Sequence, residues 1–519
     1  MTLPGSVAPL PGFTAKDMWP GDARRGEVIV KGDFEFAGNA VREAEAPWLA
    51  DSISEAWLAG ISEFGWLRDV RTVGSEAARA RGRALVQRWI GTQGEWHPIT
   101  WRPDVLGARV ANWIGHSEFL TSGAETAFRD SLFRNLRRQI RHLQRVARFA
   151  APGLPRIAVL RGLVFAALAL ENRKALARWL KGLEAEIDSQ VLGDGGYITR
   201  NPSHQLAVIR HLIDIRSALR DAQEEIPQGL QTAIDRMAPM LRFFRHGDGG
   251  LALFNGSRED EGWLIDVVLT RSEARGKPLD SAPHSGFERL TANRTVILMD
   301  VGAPPPQGVD EYAHAGALSF EMSVGKERLV VNCGAHYGDR ASWRFAQRTT
   351  AAHSTVTVDD VNSAEVLQGG GLGKSNAAIS CDRKQADGDI WVDSAHDGYQ
   401  KTFALTHSRR LYLAASGGDL RGEDTLTGEG SHRFVVRFHL HPAVRASVVQ
   451  EGNGVLLRLP GGAGWRFRAS GGVIALQESV YLGGGYDVKR TEQIVVSSAT
   501  QQGMGQVKWA FTQLAGNND

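Results

Sequence analysis

Hydrophobic positions in the first half of the chain recur every three or four residues. In residues 125–150 this spacing joins Phe128, Leu132, Leu136 and Ile140 and leaves a basic outer face, as is typical of an amphipathic helix. Short loops between such segments favour antiparallel neighbours. Similar spacing predicts six further helices, four of them with a proline at or beside the start: Ala77–Ile90, Pro103–Trp113, Pro155–Leu170, Arg173–Gln190, Pro202–Ala222 and Pro227–Phe243.

After about Gly247 the pattern changes to period two. Glycine-rich turns separate short runs such as TVILMDV, ALSFEMSV, ERLVVNCG and HRFVVRFHLHP, which predicts the antiparallel strands of a large β-sandwich. The first 45 residues are rich in proline and glycine, with one strand-like run at Glu27–Phe36. We therefore predict an α+β multidomain chain with an N-terminal extension (1–45), a helical domain (46–246) and an antiparallel β-sandwich domain (247–519).

Composition narrows the classes of function. The 519 residues are 42% hydrophobic and 23% charged, with a formal net charge of +2, which argues against long disorder and against a dedicated nucleic-acid partner. The two cysteines cannot form a disulfide framework, and the beginning MTLPGSVAPLPGF lacks the pattern of a signal peptide. No apolar run is long enough to span a membrane. We expect a cytoplasmic protein.

Common catalytic motifs are missing from the sequence. It contains no Walker A loop, HExxH, CxxC pair or GxSxG elbow. The glycine run at Gly369–Lys374 lies among predicted strands, without the strand–turn–helix frame of a nucleotide site, and is interpreted as loop glycines. These observations argue against nucleotide-dependent enzymes and the common hydrolases.

The first candidate for chemistry is the segment Asp194–Leu219. A glycine-rich turn leads to Asn201 at a helix N-cap position and Pro202 at the first helical position, which gives Asn201 a structural explanation. His204 falls in the first turn, where the positive end of the helix dipole disfavours imidazolium. A neutral histidine is a competent general base, and Arg200 beside it is suited to neutralising a carboxylate.

Further candidates lie among the predicted strands. Tyr312 and His314 are spaced i, i+2, so in a strand they share one face, which suits either proton transfer or metal ligation. His353 enters another strand, where a core position is the more common role of a histidine. His439 and His441 repeat the i, i+2 spacing, but no third metal ligand is evident beside them.

The order of these segments carries a resemblance to a known family. A helical half, then DGG…RNPS, then AHAGALSFEM…LVVNCG…TAAHSTVTVDD, then HDGY resembles the heparinase II/III family of polysaccharide lyases and the related oligo-alginate lyases. The resemblance spans about residues 40–510. It implies an N-terminal incomplete α/α toroid followed by a C-terminal antiparallel β-sandwich, in agreement with the pattern of hydrophobic positions.

The resemblance also implies β-elimination on uronic-acid sugars. A base removes the C5 proton, a polar group neutralises the carboxylate, and an acid protonates the leaving oxygen. Matching the family motifs position by position makes His204 and Tyr312 the catalytic pair, with histidine and tyrosine exchanged relative to the family. The residues expected to bind substrate are Arg200, Asn201, Arg348, His396 and Tyr399.

Two family features are altered in this sequence. The family's neutralising Asn is missing near residues 154–156, which leaves Arg156, Arg161 or Arg200 to take its role. Some members hold a structural zinc with His, Asp and His, which match His314, Asn332 and His353. Replacement of Asp by Asn weakens such a site unless the neighbouring Cys333 supplies a thiolate. No cofactor is required for the elimination itself. Whether the chain binds a structural zinc stays an open question.

The resulting expectation is a lyase acting on short uronic-acid-containing oligosaccharides, with an acidic oligosaccharide or polysaccharide as its partner. Whether the chain forms a homodimer is left open. One alternative is a non-catalytic carbohydrate-binding or scaffolding protein on the same fold. Another is a glycan hydrolase, which needs a pair of carboxylates flanking the scissile bond; the sequence offers Glu259, Asp260 and Glu261.

Overall fold

The computed structural model describes residues 15–42, 45–51, 53–338, 341–373, 378–449 and 452–514. The chain divides into two compact units. The first comprises Met1–Gln190 and Ala207–Ile234, and the second comprises Val191–Leu206 and Asp235–Asp519. The loop before His204 therefore belongs to the same unit as the strands.

The helices follow the predicted spacing closely in the first half of the chain. The helix at Arg173–Gln190 has the predicted bounds, and the helices at Pro103–Gly115, Leu154–Ala169 and Pro202–Asp221 differ from prediction by one or two residues at their ends. None of the helices in the described ranges combines the length and apolar content needed to cross a membrane. The α-helices are α1 (Ala23–Lys31), α2 (Glu55–Ser62), α3 (Leu67–Val73), α4 (Glu76–Gln93), α5 (Pro103–Gly115), α6 (Ser117–Thr121), α7 (Thr126–Val146), α8 (Leu154–Ala169), α9 (Arg173–Gln190), α10 (Pro202–Asp221), α11 (Gln228–Phe243), α12 (Gly262–Ser272), α13 (Ala341–Ala346) and α14 (Gln400–Phe403).

Two glycines allow α5 and α8 to pack with their backbones in contact. A Cβ atom on Gly107 would lie 2.7 Å from the Cα of Val159, and one on Gly162 would lie 2.4 Å from the carbonyl oxygen of Gly107. Both distances are shorter than any carbon side chain tolerates. The helix pair at the centre of the first unit therefore depends on glycine at both positions.

The strand predicted at Glu27–Phe36 is wrong for its first half. Residues 23–31 form α1, because the side chain of Asp22 caps the helix by accepting hydrogen bonds from the backbone N–H groups of Arg24 and Arg25. Gly32, with a φ of 100°, ends the helix in the left-handed conformation that glycine adopts without strain. Only Asp33–Phe36 forms a strand, paired with Asn39–Arg42.

The second unit contains two large antiparallel sheets. The nine-stranded sheet has the order β17-β18-β13-β7-β6-β5-β4-β3, with β8 paired to β13, and the eight-stranded sheet has the order β14-β15-β16-β19-β12-β11-β10-β9. Strands β1 and β2 form the separate hairpin described above. The strands are β1 (Asp33–Phe36), β2 (Asn39–Arg42), β3 (Ser281–Ala282), β4 (Phe287–Ala292), β5 (Thr295–Asp300), β6 (Phe320–Val324), β7 (Glu327–Val331), β8 (Val356–Val358), β9 (Ile379–Ala386), β10 (Asp389–His396), β11 (Leu405–Leu413), β12 (Asp419–Gly428), β13 (Arg433–Leu440), β14 (Arg445–Val448), β15 (Val455–Arg458), β16 (Gly464–Ser470), β17 (Val473–Tyr481), β18 (Lys489–Ala499) and β19 (Met504–Gln513).

An ion pair is buried in the apolar core shared by the two sheets. Arg409 Nε lies 2.7 Å from Asp424 Oδ1, and both side chains are at most 1% exposed. The same carboxylate accepts hydrogen bonds from His407 Nε2 at 2.8 Å and from Trp509 Nε1 at 2.8 Å. Because every oxygen of Asp424 is satisfied, burying the charge is tolerated.

Candidate functional site

The loop before α10 sets the position of His204. Arg200 has a φ of 54°, a left-handed conformation that turns the chain immediately before the helix. Asn201 then caps α10, because its Oδ1 accepts hydrogen bonds from the backbone N–H groups of Ser203 and His204 at 2.8 and 3.1 Å. Its Nδ2 donates to the carbonyl of Asn255 at 2.8 Å. Both polar ends of Asn201 are thus engaged in fixing the first turn of the helix.

His204 and Tyr312 lie side by side within the second unit. Their ring centroids are 5.4 Å apart and the rings are nearly perpendicular, at 87°. The His204 Nδ1 is 3.1 Å from the hydroxyl oxygen of Thr199. Burial lowers the pKa of His204 to about 4, so the imidazole is neutral at pH 7. Tyr312 is 42% exposed, which leaves this edge of the pair accessible from solvent.

The segment Asn255–Asp260 forms another side of the same site. Gly256 has a φ of 80°, and a Cβ atom there would lie 3.1 Å from the Cβ of Tyr312, so the close approach requires glycine. Tyr337 donates a hydrogen bond from its hydroxyl to the carbonyl of Gly256. The Arg258 guanidinium lies 5.3 Å from the centroid of the Tyr337 ring.

Arg258 brings a cation to this site. Its Nε pairs with Asp260 at 3.0 Å and its side chain is 39% exposed. Although burial opposes the charged form, Asp260 keeps the pKa of Arg258 above its ordinary value. Ser203, beside His204, ties the segment in place, because its hydroxyl accepts a hydrogen bond from the Arg258 N–H at 3.1 Å and donates one to Asp260 at 2.5 Å.

Sequence reasoning missed Arg258 and Tyr337. The run Asn255-Gly256-Ser257-Arg258 contains a turn signal with an adjacent cation, which is a weak indication of a site. Tyr337 has no motif around it. Only the folded chain brings these residues to Tyr312.

Arg200 has a structural role that uses all three of its guanidinium nitrogens. It forms a buried ion pair with Asp300 and donates hydrogen bonds to the carbonyls of Ser285 at 2.7 Å, Ala303 at 2.9 Å and Gly286 at 3.0 Å. Only 7% of the residue is exposed. Its expected contact with a substrate carboxylate is therefore not favoured by this geometry.

The other residues that were expected to bind substrate also form hydrogen bonds within the protein. Arg348 donates to the carbonyls of Ala313 and Leu367, each at 3.0 Å, and so holds the segment that carries Tyr312. His396 Nε2 is 3.1 Å from His407 Nδ1. Tyr399 is fully buried and donates to the carbonyl of Val356 at 2.7 Å. These side chains stabilise the sandwich.

The residues expected to bind zinc do not fit a zinc site. His314 Nδ1 and His353 Nε2 are 2.9 Å apart, and His353 Nδ1 is 2.8 Å from the carbonyl oxygen of Thr349. The carbonyl fixes the proton on His353 Nδ1, so His314 donates to His353 directly. Asn332 is a neutral amide whose Oδ1 accepts from the Ser354 N–H at 3.0 Å.

Cys333 as a thiolate ligand of zinc, in place of Asn332, is not supported either. The Cys333 sulfur lies 3.5 Å from Nδ1 of His439 and 3.9 Å from the hydroxyl of Ser479. Without a bound metal, burial raises the pKa of Cys333 to about 12, so the thiol is protonated at pH 7. Across the described ranges of the chain, no three His, Cys, Asp or Glu side chains are grouped as metal ligands.

The carboxylates named for a hydrolase are partly engaged in other contacts. Glu259 accepts a hydrogen bond from the Tyr481 hydroxyl, and Asp260 is paired with Arg258. Arg156 and Arg161, which were expected alongside Arg200 as replacements for the family Asn, also have acidic partners. Arg156 lies 3.3 Å from Glu186, and Arg161 lies 2.8 Å from Asp214.

Two solved structures share the fold of this chain. The chain resembles heparinase III with a TM-score of 0.79 at 11% identity, over 99% of this chain and 88% of that one. It resembles a mutant of heparan sulfate lyase HepC from Pedobacter heparinus with a TM-score of 0.67 at 17% identity, over 98% and 86% of the two chains. The expected α+β architecture, a toroid-like helical region followed by antiparallel sheets, is confirmed, and it is the fold of heparinase III.

Sequence comparisons give the family. Residues 274–510 match the model described as heparinase II/III-like, C-terminal. The chain is 33% identical to FtsZ-localized protein C of Caulobacter vibrioides (strain NA1000 / CB15N) over 522 residues, which cover 96% of this chain and 90% of that protein. This chain belongs to the heparinase II/III family, as its sequence motifs indicated.

Proposed function

We propose that this protein is a lyase that cleaves uronic-acid-containing oligosaccharides by β-elimination. The observation that carries the proposal is the contact of His204 with Tyr312, at 5.4 Å between ring centroids. A neutral imidazole beside a partly exposed phenol supplies a base and an acid in one site. Family membership supports the reaction class.

In this proposal each side chain acts at a stated atom of the substrate. The neutral imidazole of His204 removes the proton from C5 of the uronate. The Tyr312 hydroxyl donates its proton to the glycosidic oxygen as the bond from C4 to that oxygen breaks. The electron pair of the broken C–H bond becomes the C4–C5 double bond, so no water is consumed.

Arg258 is our candidate for the group that neutralises the uronate carboxylate. Charge developing on the carboxylate in the transition state is stabilised by a fixed cation, and Arg200 is committed to Asp300. Arg258 is 39% exposed and follows the Gly256 turn that contacts Tyr312. It would take the role that the missing Asn has in other family members.

The test is incubation with defined uronic-acid oligosaccharides while absorbance is followed near ~235 nm, where the unsaturated product of elimination absorbs. Wild-type protein should give a rising signal with at least one oligosaccharide. His204→Ala and Tyr312→Phe should each lower kcat by ~10²–10⁴, the usual range for a general acid or base. His432→Ala is the control, because His432 is a half-buried histidine paired with Asp359; it should keep full turnover.

A second candidate is a non-catalytic carbohydrate-binding or scaffolding protein that localises with FtsZ. The relative from Caulobacter vibrioides is described as FtsZ-localized, and the match covers 90% of it. The missing family Asn favours the same candidate. Saturable oligosaccharide binding without any absorbance change, together with co-localisation of a fluorescent fusion with FtsZ, would favour this candidate over the lyase.

A further inference from the structure

The outer face of the eight-stranded sheet carries two adjoining cavities. One has a volume of about 490 Å³ and the other about 470 Å³, and Arg410 and Glu423 line both of them. These volumes are in the range of ligand-binding clefts. The sandwich core lies on the opposite side of the sheet, so these cavities are separate from the site at His204.

One row of side chains crosses five neighbouring strands on this face. Trp391 is paired with Tyr412, Tyr412 with Arg421, Arg421 with Ala510, and Ala510 with Arg468. At ~4.8 Å between strands, the row from Trp391 to Arg468 is about 19 Å long. We call these five residues the aromatic–arginine row.

The aromatic end of the row offers flat apolar surfaces. The Trp391 and Tyr412 ring centroids are 5.2 Å apart with the planes inclined at 44°. The Arg421 guanidinium lies 5.8 Å from the Tyr412 ring centroid. Aromatic rings of this kind stack on the apolar faces of sugars. The small side chain of Ala510 leaves open space between the two arginines, where the larger cavity lies.

Charge on this face is unevenly distributed. In the next row Arg410 pairs with Asp393, and Lys508 lies 3.3 Å from Glu423, so that row is balanced. In the aromatic–arginine row, Arg421 pairs with Asp419 at 2.6 Å.

Arg468 is the cation of the row that has no acidic partner. Its side chain is exposed, and no ion pair joins it to any residue within the described ranges. At the other end of the row, the Tyr412 hydroxyl donates a hydrogen bond to Asp389 at 2.9 Å. The row therefore has an unpaired cation at one end and a carboxylate beside its aromatic surface at the other.

We propose that the aromatic–arginine row binds an acidic sugar chain at a surface separate from the His204 site. Trp391 and Tyr412 stack on sugar rings of the chain. Arg421 and Arg468 pair with the carboxylates of neighbouring sugar units. The choice of a uronate-bearing chain as ligand rests on the proposed function. The surface would retain a longer substrate while its end is processed at the other site.

The experiment is a calorimetric titration of the His204→Ala protein, so that no turnover occurs. The probes are hexamers of galacturonate, mannuronate and glucuronate, with the methyl-esterified galacturonate hexamer as an uncharged counterpart. Arg468→Ala and Tyr412→Ala, each in the His204→Ala background, should weaken binding of the acidic hexamer about tenfold, the loss of one charged or stacking contact. Arg433→Ala, which removes an exposed cation from the other sheet, should leave binding unchanged. Melting temperatures show whether each variant is folded.

Three results would overturn the proposal. The first is no binding of any acidic hexamer by the parent protein, and the second is equal binding of the esterified hexamer. The third is unchanged affinity for the acidic hexamer in both the Arg468→Ala and the Tyr412→Ala variants. A wrong lyase proposal can be distinguished from a wrong binding-surface proposal. If the wild-type protein has no elimination activity, it can still bind acidic hexamers in a charge-dependent way that Arg468→Ala weakens.

Discussion

The pH dependence of turnover tests the role of His204 as the base. Burial lowers its pKa from 6.5 to about 4, a change that corresponds to roughly 3 kcal/mol in favour of the neutral ring. Because a base must be unprotonated, activity should be lost only when the pH falls toward 4. An exposed histidine would lose its activity around pH 6.5.

The two cases, a buried and an exposed histidine as the base, give different rates at pH 6.0, where the substrate carboxylates stay ionised. With a pKa of about 4, His204 is roughly 99% neutral at pH 6.0, whereas with a pKa of 6.5 only about a quarter of it would be neutral. The ratio of kcat/KM at pH 6.0 to that at pH 7.5 should therefore be about 1. An exposed histidine as the base predicts a ratio of about 0.3.

The assay is initial-rate absorbance on an oligosaccharide that the wild-type protein cleaves, with circular dichroism at both pH values as the control for folding. The parameter is kcat/KM, because it reports the pKa values of the free enzyme. A ratio near 0.3 with the fold intact would exclude the buried His204 as the base, since it would require a base with an unshifted pKa.

Three further predictions concern stability and the cation. Asp424→Asn leaves Arg409 buried without its partner charge, and the loss of about 3–5 kcal/mol in the free energy of unfolding is measurable by urea denaturation; an unchanged midpoint contradicts it. Burial lowers the pKa of His353 to about 4 and of His439 to about 3. The unfolded chain therefore binds protons that the folded chain excludes, and each histidine should remove roughly 3 kcal/mol of stability between pH 6.5 and 4; melting temperatures that stay constant over this window contradict the assignment. Arg258→Gln should lower kcat/KM by ~10²–10³ with Arg258→Lys partly active, and wild-type rates in the Gln variant would exclude Arg258 as the neutralising group.

Local signals explain why the helical half was predictable. Helix α9 was predicted at its exact bounds, and Pro103 and Pro202 stand at the first residues of α5 and α10. Residues Glu27–Phe36 carried both a strand-like alternation and helix-capping residues on either side of their first part, and the capping residues determined the structure. The run Glu27–Phe36 alternates like a strand, but Asp22 and Gly32 bound a helix over its first part.

Strands with charged side chains on their outer face are harder to predict from the pattern of apolar residues. Strand β9, Ile379–Ala386, reads ISCDRKQA and has no buried residue, because it lies at the edge of the eight-stranded sheet. Strands β12 and β19 contain charged residues on their outer face, and these residues line the cavities described above. Helix α12, Gly262–Ser272, was not expected among the strands.

The candidate site was predictable only in part. The N-cap signal at Asn201 and the family motifs identified His204 and Tyr312, and the structure brings these two side chains together. The roles of Arg200 and Arg348 depend on carbonyl groups far away in sequence. Such partners are fixed by tertiary structure and leave no mark in the local pattern. Arg258 was missed for the same reason.

Elimination differs from hydrolysis in that no water is added across the cleaved bond, so the masses of the two products distinguish the reactions. Wild-type protein is incubated with a defined uronic-acid oligosaccharide, and the products are examined by mass spectrometry. We expect one unsaturated product and one saturated product whose masses sum to that of the substrate, and neither should form with His204→Ala. Products whose masses sum to that of the substrate plus one water would show hydrolysis and exclude the proposed lyase.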